Sequence, residues 1–251
     1  MFHKLMCAGT TNLFPYFEFV ANRANDPNRQ IFAAGLTNHD TPYGQPASWW
    51  RVEINGKPFD KPLNELRFSA DDVVRVYHDG AGGVFTSNGQ DIIKEFRGAL
   101  PTSGGSRAFY QCYGLKTVPL STFSNLTGLH GSFAHCFRDS GLEAVPPGLF
   151  SSVSCVEANF YSAFCDCRNL KSIDIDEFAG FKVIDDMSYM FSGSSVRNLH
   201  LRFTLREIAD YAVWGVASGL PEGAITVYCP KGSNFAKKMK EKNPNVTVVE
   251  E

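Results

Sequence analysis

Cys136-Phe137-Arg138-Asp139-Ser140-Gly141-Leu142-Glu143-Ala144-Val145-Pro146 decides how this chain is read, because three other stretches repeat it. They are Ala108-Phe109-Tyr110-Gln111-Cys112-Tyr113-Gly114-Leu115-Lys116-Thr117-Val118-Pro119, Ala163-Phe164-Cys165-Asp166-Cys167-Arg168-Asn169-Leu170-Lys171-Ser172-Ile173-Asp174, and Met190-Phe191-Ser192-Gly193-Ser194-Ser195-Val196-Arg197-Asn198-Leu199-His200. Their leading phenylalanines are spaced by 28, 27 and 27 residues. A second aromatic column, Phe123, Phe150, Phe178 and Phe203, and a third apolar one, Leu126, Val153 and Phe181, keep the same register. Three columns in register mark an internal repeat.

One unit cannot fold alone. Burying a Phe or Leu is worth about 1.5–3 kcal/mol, whereas ordering each residue costs about 1–2 kcal/mol. Stacked units pool their columns into one core, the physics of a solenoid. On that reading Leu115–Val118, Leu142–Val145, Leu170–Ile173 and Val196–Leu199 are short parallel strands, with prolines at 119, 146 and 147 where the chain leaves the strand. The polar residues between the apolar pairs then stand in two columns on the strand face. Lys116, Glu143, Lys171 and Arg197 form one, and Thr117, Ala144, Ser172 and Asn198 the other. Lys116, Thr117, Glu143, Lys171, Ser172, Arg197 and Asn198 are therefore the candidate partner-binding residues.

Phe-x-x-Cys-x-x-Leu-x-x-Val-Pro, together with Ile184-Asp185-Asp186-Met187-Ser188-Tyr189-Met190-Phe191-Ser192-Gly193-Ser194, resembles the BspA-like family of leucine-rich repeats over residues 106–203. Ile225–Ser233, followed by a short helical pattern and Val246–Glu250, is similar to the strand-helix-strand segment that closes many such arrays. The resemblance implies binding by a surface, in bacterial surface adhesins, protist surface proteins or phage-encoded structural proteins, and brings no catalytic residues with it.

The flanks differ in texture. Tyr16–Val20, Gln30–Ala34, Trp49–Ile54, Glu65–Phe68, Val73–Tyr77 and Gly83–Thr86 read as short strands, Asn55-Gly56 as a hairpin turn and Asp79–Gly83 as another turn. They suggest a small β-sandwich or barrel over 1–105, with a linker at Pro101–Ser106. Thr204-Leu205-Arg206-Glu207 has the form of a capping box, opening a helix through Ile208 and Tyr211 towards Trp214. The expected fold is thus mixed and β-rich: a small sandwich or barrel (1–105), a short leucine-rich-repeat solenoid (106–203) and an α/β cap (204–251).

Composition narrows the function. With 251 residues, 43% hydrophobic and 20% charged, and a net charge of -2 spread evenly, the chain looks globular rather than like a nucleic-acid or anionic-membrane binder. The start, Met1 to Gly9, has no apolar run behind Lys4, so no secretory leader is expected. No run of 18 apolar residues suggests a membrane span. Seven cysteines follow the repeat, Cys112 and Cys167 sharing their position with Ser140 and Ser194, and read as buried thiols of a cytosolic chain.

Chemistry is sparse. Cys165-Asp166-Cys167 has the wrong spacing for zinc. His3, His39, His78, His130, His135 and His200 lack ligand spacing and read as solvent-facing or turn residues. Gly80–Gly83 lacks a phosphate-loop ending. Lys237, Lys238, Lys240 and Lys242 read as the wet face of a short helix. Asn125-Leu126-Thr127 and Asn245-Val246-Thr247 fit a glycosylation sequon that matters only in a secretory setting. No metal or cofactor is expected.

These readings converge on a non-enzymatic binding or structural protein. The favoured form is a phage virion component, made in the host cytoplasm and displayed on the particle, with 1–105 attaching and the repeats facing a host protein or glycan. Its partners would be proteins of a larger assembly, without nucleic acid or membrane insertion, and homo-oligomerisation is compatible with it. The alternative is a bacterial or protist surface or secreted adhesin. An envelope-glycan hydrolase is the remote alternative, its acids drawn from Asp174, Asp176, Glu177, Asp185 and Asp186.

Overall fold

Strand β1 (Tyr16–Ala21) alternates as a half-buried strand should, with Phe17, Phe19 and Ala21 fully buried on one face. Next come β2 (Phe32–Ala33), β3 (Arg51–Ile54), β4 (Lys57–Pro58), β5 (Val73–Tyr77), β6 (Val84–Phe85) and β7 (Ile93–Gly98). The structure is a computed structural model, and it describes residues 16–26, 28–29, 31–33, 51–61, 65–78, 84–101, 105–126, 130–151, 153 and 157–251. Outside them lie His3, His39, Asp40, Trp49, Trp50, Gly80–Gly83, Thr127 and most of the expected linker.

β1, β3, β4, β5 and β7 form one antiparallel sheet in the order β4-β3-β5-β1-β7, and β2 pairs with β6. The hairpin signal was legible: Asn55 and Gly56 both adopt positive φ, 52° and 73°, as a two-residue type I′ turn requires. Among the described residues these strands form one open five-stranded sheet and the two-stranded β2–β6 pair, not a closed barrel. The larger sheet's inner face packs on the core, with Phe85 of β6 against Phe17 at 4.8 Å. Its outer face carries charge. Glu18, only 7% exposed, is clamped between Arg75 (2.8 Å) and Arg97 (3.0 Å) from the flanking strands. On the same face Tyr16 and Tyr77 pack against each other at 5.6 Å, and Tyr77 is buried.

The core continues without a break past residue 105. Phe96 meets Phe109 edge-on at 5.0 Å, and the Ser87 amide donates to the Ala108 carbonyl. Beyond it the periodic phenylalanines stack. Phe109, Phe137, Phe164 and Phe191 are spaced by 5.2, 5.7 and 5.4 Å with ring planes within 11° of parallel. Phe123, Phe150, Phe178 and Phe203 form a second column at 5.4–5.7 Å. A third, Phe133 on Phe160 at 5.0 Å, escaped the sequence reading.

The leucine-rich-repeat solenoid is not the architecture. Among the described residues the fold is mixed α/β, with several separate sheets and one α-helix. The leucine segments do not form the strand ladder that such a solenoid requires: among them only an Ala144–Ser172 bridge and the first residue of a later strand, Leu199, pair as strand. Pro119, Pro146 and Pro147 remove donors just where a ladder would have to extend. Parallel pairing occurs instead in β8 (His130–Ser132), β9 (Glu157–Asn159) and β10 (Val183–Asp186), a three-stranded sheet ahead of the phenylalanines. The fold is not that of a clear solenoid and so lends the virion expectation no support.

The stack is held by turns as much as by strands. Residues 107–111, 135–139, 162–166, 189–193 and 215–219 form equivalent turns whose first and last residues all have positive φ, between 52° and 79°. Alternate amides of each turn donate to carbonyls of the next: Arg107, Phe109 and Gln111 to Ala134, Cys136 and Arg138, and Tyr189, Phe191 and Gly193 to Trp214, Val216 and Ser218. The stretch from Thr204 to Trp214, where a capped helix was expected, leads into the fifth turn without forming one. Thr204 is not a cap; its hydroxyl donates to the Ala179 carbonyl at 3.0 Å, and only residues 211–213 make a 3-10 turn.

The tail forms strand, helix and strand, as its pattern implied. β11 (Leu199–Arg202), β12 (Ile225–Cys229) and β13 (Thr247–Glu250) make a parallel sheet, and α1 (Asn234–Lys242) joins the last two. Ser233 caps α1 by accepting from the Ala236 amide, and Phe235, Ala236 and Met239 bury its inner side.

Candidate binding surface

Every candidate partner-binding residue is exposed, but they divide into two groups. Lys116, Glu143 and Lys171 stand one above another, because the Glu143 amide donates to the Lys116 carbonyl (3.0 Å) and the Lys171 amide to that of Glu143 (2.8 Å). The Lys116 ammonium lies 3.5 Å from the Glu143 carboxylate. Ser172 adjoins them through the bridge to Ala144, while Thr117 follows Lys116 along the chain. Arg197 turns away and donates to the carbonyl of Val196 at 2.7 Å, and Asn198 takes φ 55°. The ladder is short and pairs its own charge.

The turns carry a different surface. Their outer edge is aromatic: Tyr110 lies 6.4 Å from His135, His135 meets Tyr161 edge-on at 5.0 Å, and Tyr161 meets Tyr189 edge-on at 6.2 Å. The Tyr189 amide donates to the Trp214 carbonyl, which brings the fifth turn alongside. Tyr189, Trp214 and Tyr211 are 38%, 54% and 65% exposed. Beside Tyr211 a groove of about 500 Å³ runs along the β10 edge, past Val183, Ile184, Ile208 and Ala209.

Electrostatics single out one end of this edge. The Arg107 amide donates to the Ala134 carbonyl (3.0 Å) and the Arg138 amide to the His135 carbonyl (3.2 Å), which sets both arginines beside His135; partial burial, with these two guanidinium groups, pushes its imidazole down to about 4. Neither arginine forms an ion pair among the described residues. The same turns close on Asp139, next to Arg138 in the chain, which accepts from the Tyr113 hydroxyl (3.1 Å) and the Gln111 side-chain amide (3.3 Å), and on Asp166.

No family model, curated protein or solved structure matches the chain. The likeness of its repeat to BspA-like proteins stands on the quoted motif alone.

Other residues have structural occupations. Cys112, Cys136 and Cys167 are buried, and burial pushes their thiols up, Cys112 and Cys167 to about 12. His78 is not solvent-facing: it is 1% exposed, 3.2 Å from the Ala99 carbonyl. Glu177 is buried and accepts from the Gly148, Phe150 and Ser151 amides, so it fastens the turn beneath it. Asp176 pairs with Arg202 at 2.5 Å. Lys238 of the basic run is largely covered and reaches Asp210 (2.8 Å) and the Ile208 carbonyl (2.6 Å), fixing α1 to the body. Among the described residues no helix is long and apolar enough to cross a membrane.

The aromatic edge escaped the sequence reading because its members do not share one repeat position. His135 and Tyr189 begin their turns, whereas Tyr161 and Trp214 precede theirs. Gly215 and Gly219, four residues apart like the positive-φ residues that bound each of the other four turns, were the available signal for the fifth turn.

Proposed function

We propose that the protein acts by binding a macromolecular partner along the aromatic edge of its turns, and not by catalysis. The observation that carries this is the run Tyr161, Tyr189 and Trp214 on adjacent layers, its last two members substantially exposed. Exposed aromatic side chains in a contiguous run mark interaction sites. Tyr and Trp supply large contact area at low entropic cost and dominate binding hot spots. The underlying backbone is fixed by interlayer hydrogen bonds, so little ordering remains to oppose association.

Photo-crosslinking tests this reading. Benzoylphenylalanine placed at Tyr189 should capture a discrete partner in the cell that makes the protein, and placed at Val249, on the β13 edge, it should not. A partner captured equally from both positions, or only at Val249, would remove the edge from consideration.

A further inference from the structure

We propose that the Arg107–His135–Arg138 end of the edge is a subsite for a glycan bearing isolated carboxylate groups. This rests on the binding reading above and names the partner's chemistry. Arg107 is exposed, Arg138 is partly so, and neither is paired with a carboxylate among the described residues. Guanidinium forks match a carboxylate with two parallel hydrogen bonds, which makes an unpaired pair of them a recognition device. Between them His135 stays neutral near pH 7, since its imidazole is pushed down to about 4, and can donate or accept one further hydrogen bond.

Three features favour a saccharide over other anions. Tyr110 and Tyr161 stand on either side of His135, and an aromatic face, negative at its centre, attracts the C–H face of a sugar ring. Asp139 and Asp166, which close these turns, suit hydroxyl donors and repel a closely spaced polyanion such as a nucleic acid. The layers also repeat an aromatic residue from turn to turn, through His135, Tyr161 and Tyr189, so a repeating polymer can make similar contacts at successive layers.

Calorimetric titration of the full chain with trigalacturonic acid and its methyl ester, and with sialyllactose and lactose, tests this. Binding of at least one acid, with its neutral counterpart weaker by about tenfold or more, is the expected result. Arg107→Gln with Arg138→Gln should erase that preference while the thermal unfolding midpoint stays near wild type. Equal affinity for acid and neutral forms would overturn the proposal, as would stronger binding of an acidic peptide or a single-stranded oligonucleotide. If no saccharide binds while Tyr189 still crosslinks a partner, the subsite is wrong and surface binding stands. If both fail, both are wrong.

Discussion

Phe137 and Phe164, 27 residues apart in the chain, lie face to face with ring centroids 5.7 Å apart and planes 10° from parallel. Phe164 also meets Phe191 at 5.4 Å, so it sits mid-column with an aromatic ring above and below. Phe164→Ala opens a cavity that both neighbours line. It should destabilise the protein by about 3–5 kcal/mol, read by denaturant unfolding, and an unchanged midpoint would contradict the column.

The Cys/Ser column makes a finer prediction. Cys167 donates to the Phe137 carbonyl at 2.8 Å and Ser140 lies 3.8 Å from the Cys167 sulfur, whereas the buried Ser194 hydroxyl has no partner among the described residues. A buried polar group left unsatisfied costs about 1–3 kcal/mol. Ser194→Ala should therefore leave stability equal or raise it by about 1 kcal/mol, and a loss above about 1 kcal/mol in thermal or chemical unfolding would show that the hydroxyl is bonded after all.

His135 predicts an acid limb. Burial first, then Arg107 and Arg138, lowers its pKa from the ordinary 6.5 to about 4. The unfolded chain gains a proton as pH falls through 6.5 while the folded one stays neutral until about 4, so this residue's contribution to stability declines between those values and levels off below. His135→Asn keeps a residue type that tolerates its φ of 55° and should flatten that decline. Unfolding curves collected from pH 7 to pH 4 check it; identical slopes would mean the imidazole titrates normally.

The repeat was legible in the sequence because a buried phenylalanine admits few substitutes, so Phe109, Phe137, Phe164 and Phe191 kept their register. Where pairing occurs was not legible. Backbone hydrogen bonds leave no trace in side-chain identity, and Leu-x-x-Val suits a buried loop as well as a strand. The positive-φ turns were hidden for a related reason: Arg107, Gln111, His135 and Tyr189 occupy a conformation where Gly or Asn would have signalled it. Period-two alternation in β1 marks one buried face without saying what meets the other, where Glu18 pairs with Arg75 and Arg97 and Tyr16 packs on Tyr77.

The polar ladder of Lys116, Glu143 and Lys171 and the aromatic edge of Tyr161, Tyr189 and Trp214 are rival contact surfaces, and one comparison separates them. Tyr161→Ser, Tyr189→Ser and Trp214→Ser combined is set against Lys116→Glu with Lys171→Glu, each checked for an unfolding midpoint close to wild type. Retention of the crosslinked partner is then measured by co-purification from the producing cell. The account predicts that the aromatic variant loses the partner and the ladder variant keeps it. A folded aromatic variant that still holds the partner, beside a ladder variant that has lost it, would contradict the account.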